Sequence, residues 1–207
     1  MEPTQEAADA VLTRDDRWNA IGTVAIAVMF GCATIAVGVA EIVRFVAGDP
    51  WTMLAPFTGE AAQVPIGPNG ELREVAVESA YITAPGIPAI SAASLIAAVV
   101  VTMVATLAVL ACVSVLCLNI ARRRIFTGTN TRALTIAALT VGIGWALSMI
   151  LQTLAINGAF ASISDGDYDN VLAQVNFTPL LGVFVLGALA TAFRVGERLQ
   201  RDTEGLV

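Results

Sequence analysis

Four long apolar stretches decide most of what this chain can become. Residues 20–40, 90–120, 133–156 and 177–193 contain no charged side chain. A hydrocarbon core of about 30 Å is crossed by roughly 17–25 apolar residues in a helix, so each stretch suffices. The second is longer than a perpendicular crossing needs, which implies tilt or an interfacial first turn. All four are too uniformly apolar for one-sided surface helices, and they lack the two-residue alternation of a membrane barrel. Composition agrees: 57% of residues are hydrophobic and 14% charged, against about 45–50% and about 25% in soluble domains. Mean hydropathy is +0.77. Disordered chains and water-soluble enzyme cores are excluded on this ground.

The distribution of arginine orients the spans. All 11 cationic side chains are arginine, and there is no histidine. With the N-terminus in the cytoplasm, Arg14, Arg17, Arg122, Arg123, Arg124, Arg132, Arg194, Arg198 and Arg201 lie inside, and only Arg44 and Arg73 outside. Every short loop then obeys the positive-inside rule. The outer segments hold nine carboxylates against their two arginines, the inner ones eight against nine. Gly38-Val39-Ala40 resembles a signal-peptide cleavage site, but the apolar run is too long and the preceding arm too acidic, so a retained span is expected. Trp18 and Trp51 flank it as interfacial anchors.

The expected fold is therefore all-α and membrane-embedded: a four-transmembrane-helix bundle with a small extracytoplasmic β-hairpin between helices 1 and 2. Residues 1–17 form a cytoplasmic arm, 18–44 the first span and 45–88 an extracytoplasmic loop. Residues 89–121 form the second span, 122–132 a cytoplasmic arginine-rich loop and 133–156 the third span. An acidic extracytoplasmic loop follows at 157–170, then the fourth span at 171–195 and a cytoplasmic tail at 196–207. The hairpin is read from Gln63-Val64-Pro65-Ile66, the turn Gly67-Pro68-Asn69-Gly70, and residues 71–83. There Val75, Val77 and Tyr81 alternate with wetter positions, and Pro65 marks an edge strand. Such a hairpin is marginal alone and should pack on helix ends, a second copy or another protein.

Chemistry is sparse. Without histidine there is no Ser-His or Cys-His nucleophile pair and no HExxH zinc site. Cys32, Cys112 and Cys117 lie in apolar runs and read as packing residues. Asp165-Gly166-Asp167-Tyr168-Asp169 looks like a calcium loop, but Asn176 stands where a bidentate Glu is needed, so a solvated turn is expected. No enzyme, no cofactor, no metal site and no direct nucleic-acid contact are expected. Glu41 and Arg44 can pair on one helix face. Gln152, Asn157, Gln174 and Asn176 can hydrogen-bond between spans three and four. No Asp, Glu or Arg lies deep in a span, which weighs against ion-coupled transport.

The inner face carries the most distinctive text. Phe126-Thr127 is followed by Asn130 and Leu134; after the last span come Phe193, Gly196, Leu199, Asp202, Glu204 and Val207. Thr127 or Asn130 can cap the third helix, and the arginines can meet anionic headgroups. Together these stretches resemble a family of bacterial four-span membrane proteins of unknown function, with the pattern Phe-Thr-x-x-Asn-x-x-x-Leu and an ending Phe-x-x-Gly-x-x-Leu-x-x-[Asp/Glu]-x-Glu-Leu-Thr-Val. Here Gly205-Leu206 replaces Leu-Thr, and Arg122 to Arg124 fill a stretch where the family has a glycine. Its members are often encoded beside a small helix-turn-helix regulator, which implies a cytoplasmic protein partner. The expectation is a non-enzymatic regulator or scaffold of the cell membrane, contacting that partner through Phe126, Asn130, Arg194, Glu204, Leu206 and Val207. Self-association into a homo-oligomer fits the same reading; the alternative is a small oligomeric transporter or channel.

Overall fold

The computed structural model describes residues 14–48, 50–122, 124–168, 173 and 175–204, with side chains from Trp18 to Thr203 within them. Four helices appear: α1 (Arg14–Ala47), α2 (Ala89–Ala121), α3 (Gly128–Ile163) and α4 (Thr178–Glu204). Each is long and apolar enough to cross a membrane. At 1.5 Å per residue, even α4 measures about 40 Å, and α3 about 54 Å. Between α1 and α2 lies one antiparallel hairpin of β1 (Trp51–Val64) and β2 (Arg73–Ala84).

The helix limits follow local chemistry. α3 starts at Gly128, earlier than residue 133, because Thr127 caps it: the Thr127 Oγ1 accepts the Asn130 backbone N–H at 3.4 Å. It continues beyond residue 156 to Ile163. There Asp165 and Gly166 take left-handed conformations, and the Gly166 N–H bonds the Ala161 carbonyl at 3.1 Å, a Schellman ending. The acidic Gly-containing text at 165–167 is thus a helix terminator; Asp169 lies outside the described residues. α4 begins at Thr178, later than residue 171, with Pro179 in its first turn, where a missing N–H is harmless.

The hairpin is longer than its text suggests. β1 runs from Trp51 and includes Pro56, whereas Pro65 falls just past its end. The register shifts between Pro56 and Glu60, which face Ser79 and Val77. Along β2 the covered side changes across this point: Val75 and Val77 are half-buried, whereas Ile82 and Ala84 turn inward and Tyr81 is 75% exposed. The expected grouping of Tyr81 with Val75 and Val77 fails for that reason.

The chain divides into two compact units: residues 14–35, 104–143 and 178–204, hereafter the arginine unit, and residues 36–103 and 144–177, the hairpin unit. The hairpin unit has an apolar core of Phe45, Met53, Ala84, Leu95, Ala155 and Ala159, to which Trp51, Ile82 and Ile156 add partly buried surface. Trp51 stacks on Phe45, and Phe160 packs between Phe57 and Tyr168. The Tyr168 hydroxyl donates to the Glu60 carboxylate, tying the irregular stretch of β1 to the end of α3. A marginal hairpin is thereby anchored on the ends of α1, α2 and α3. Gly158 admits the Ser91 side chain of α2 against its backbone, a space that any Cβ would occupy.

Candidate functional site

Within the arginine unit, the loop after α2 and the last turns of α4 fold onto each other. Asn130 organises the loop. It is 0% exposed, and its side-chain amide is engaged on every side. Its Nδ2 donates to the carbonyls of Arg124 (2.9 Å) and Ile125 (2.7 Å), and its Oδ1 accepts from Asn119 Nδ2 at 2.7 Å. A buried amide with these partners fixes a chain reversal that has no strand or helix of its own. Asn130 therefore works inside the chain, and its side chain presents nothing to an outside partner.

Phe126 projects from this loop onto α4. Its ring lies 5.5 Å from that of Phe193, and it rests directly on the Gly196 backbone. A Cβ at position 196 would overlap the ring, so glycine forms the notch that admits it. One residue on, the Glu197 carboxylate lies beside the first residue of α3: a Cβ on Gly128 would lie 3.4 Å from its Oε1. A carboxylate at that place complements the positive end of α3. Glu197 also pairs with Arg201 at 2.7 Å, one turn along α4. The two motif-bearing stretches, separate in sequence, are thus one structural lock.

Past the lock, α4 continues to Glu204. Val195 (54% exposed) and Leu199 (61%) stand one turn apart and uncovered, with Arg194, Arg198 and Asp202 also exposed. Phe126 keeps 41% of its surface exposed. Among the predicted partner residues, the structure brings Phe126 close to the base of the α4 extension, next to Arg194, and buries Asn130. Glu204 belongs to α4, and Leu206 and Val207 lie outside the described residues. Sequence reasoning missed Asn119, because its pairing with Asn130 follows from the loop's course and not from a helical spacing.

The other polar expectations sort themselves differently. Glu41 and Arg44 do pair, at 3.8 Å, and both are exposed. Gln152 bonds within its own helix. Its amide donates to Ser148 Oγ (2.9 Å), which lies 3.0 Å from Thr102 Oγ1, and Thr102 donates to the Ala98 carbonyl. This relay joins α3 to α2 inside the hairpin unit. Asn176 accepts the Trp145 indole N–H through its backbone carbonyl at 2.8 Å. Asn157 Oδ1 has no hydrogen-bond partner among the described residues, and Gln174 lies outside them. Among the described residues, no three His, Cys, Asp or Glu side chains converge as metal ligands. Comparisons with protein-family models, with curated proteins and with solved structures find no match to this chain.

Proposed function

We propose that this chain is a non-enzymatic scaffold or regulator of the cell membrane that holds a cytoplasmic protein at the end of α4. The observation that carries the reading is the lock of Phe126 in the Gly196 notch. It fixes where α4 leaves the helix packing, so the last turns project as a helix with an uncovered apolar pair, Val195 and Leu199, beside Arg194. α4 exceeds a bilayer core by about 10 Å, roughly its last seven residues, which leaves the end of the helix free of the hydrocarbon. Arg194, the exposed edge of Phe126, and the tail residues Glu204, Leu206 and Val207 form the contact surface; Asn130 holds the loop behind it. The arginine asymmetry supports a cytoplasmic location for this surface and for both ends of the chain. The resemblance of the Phe126 and Phe193 motifs to a bacterial four-span family favours a small helix-turn-helix regulator as the partner, with no direct nucleic-acid contact by this chain.

The transport alternative draws less support. Glu41, its ionisable candidate, is paired with Arg44 at an exposed position, and Gln152 belongs to a closed relay. The test is affinity purification of full-length protein beside a form truncated after Gln200. A protein that co-purifies with the full chain and is lost on truncation supports the proposal; the same set of proteins in both samples overturns it.

A further inference from the structure

Arginines in the two units are treated differently. In the hairpin unit both are paired, Arg44 with Glu41 and Arg73 with Glu71 at 2.8 Å. In the arginine unit, among the described residues, only Arg201 has a carboxylate partner. Arg122, Arg124, Arg132, Arg194 and Arg198 are all exposed and form no ion pair among the described residues. The described acidic side chains of that unit are Glu197, engaged with Arg201 beside the start of α3, and Asp202.

These cations also flank the ends of the apolar runs. The charge-free run of α2 ends at Arg122, that of α3 begins after Arg132, and that of α4 ends before Arg194. Three helices therefore reach one boundary between apolar and polar surroundings with an arginine at each. The lock joins the segments that carry them: Arg124 precedes Phe126 by two residues, Arg194 follows Phe193, and Arg198 follows the Glu197 that abuts Gly128. A guanidinium offers two parallel donors suited to phosphate oxygens, and cations at this level face the headgroup layer.

We propose that Arg122, Arg124, Arg132 and Arg198 form a binding surface for anionic phospholipid headgroups, arranged by the Phe126–Gly196 lock. The surface goes beyond the protein-docking reading and uses other side chains than its Arg194, Glu204, Leu206 and Val207, so either can fail alone. The occupant is a lipid, because the phosphate must arrive at the level where three apolar runs end.

The test is native mass spectrometry of the full chain released from micelles doped with equal amounts of phosphatidylglycerol and phosphatidylcholine. The wild type retains phosphatidylglycerol preferentially, and Arg124→Gln lowers that preference by about fivefold, the factor expected for one cation at an anionic surface. The fourfold glutamine variant at 122, 124, 132 and 198 retains both lipids equally, while the fourfold lysine variant, which keeps the charge, stays selective. Circular dichroism confirms that helix content is unchanged. Equal retention of the two lipids by the wild type overturns the proposal whatever the variants do. So does an undiminished preference in Arg124→Gln and the fourfold glutamine variant.

Discussion

The two units of this chain share α1, α2 and α3 yet are held by different forces. The hairpin unit has an apolar and aromatic core of the soluble kind, in which Phe45, Trp51, Phe57 and Phe160 supply the large surfaces. The arginine unit is held by a buried amide, a helix cap, a ring seated on glycine and helix approaches at small residues. In the last of these, Gly142 faces Val183 and Gly182 faces Val141. Water drives the first kind of packing. Where the alternative to a neighbour is lipid, apolar burial contributes little, and hydrogen bonds and close approach decide specificity. Charge follows the same division: acids in the hairpin unit pair both of its arginines, and among the described arginines of the other unit only Arg201 is paired.

Substitutions should separate the two mechanisms. Phe160→Ala removes the ring between Phe57 and Tyr168 and should destabilise the hairpin unit by about 4 kcal/mol. Amide exchange should then rise across residues 51–84 and remain unchanged at 124–135; equal loss of protection in both would make the division meaningless. Asn130→Leu removes three side-chain hydrogen bonds, at about 1 kcal/mol each, and should show the converse pattern. Gly196→Leu forces Phe126 out of its notch, an overpacking that costs about 2 kcal/mol. Adding Phe126→Ala should recover most of the loss, because the two changes act on one contact; an additive double mutant would place the damage elsewhere. Arg44→Gln should shift stability by less than about 0.5 kcal/mol, since the Glu41 pair is exposed and screened. A larger change in the melting temperature would give that pair a weight its geometry does not support.

Much of the fold was legible because lipid imposes a length and a charge rule that the sequence states directly. The apolar runs around residues 20–40 and 90–120 could hardly be anything but membrane-length helices, and the turn at Gly67 to Gly70 marked the hairpin. The extent of β1 was not legible, since Pro56 and Gly59 carry poor strand signals and the stretch is held by pairing with β2 and packing on helix ends. The ends of α3 are set by local signals that the apolar run alone does not mark, the Thr127 cap at its start and the left-handed Asp165-Gly166 pair after Ile163. At the candidate site, Phe126, Asn130 and Gly196 were visible as motif residues, but their meaning was not. Sequence spacing gives neighbours on one helix, and the lock joins a loop to a helix some 70 residues away. That contact also explains part of the motif without any partner, which leaves Arg194 and the tail as the part the lock does not account for.

Cysteine labelling in intact cells tests the central claim most directly. In a background with Cys32, Cys112 and Cys117 replaced, single cysteines at Ile66 in the hairpin turn and at Leu199 on the α4 extension are exposed to a membrane-impermeant maleimide. The account predicts that position 66 reacts in intact cells and that position 199 reacts only after permeabilisation. Labelling of position 199 from outside would contradict it, because the projecting end of α4 would then face away from any cytoplasmic protein.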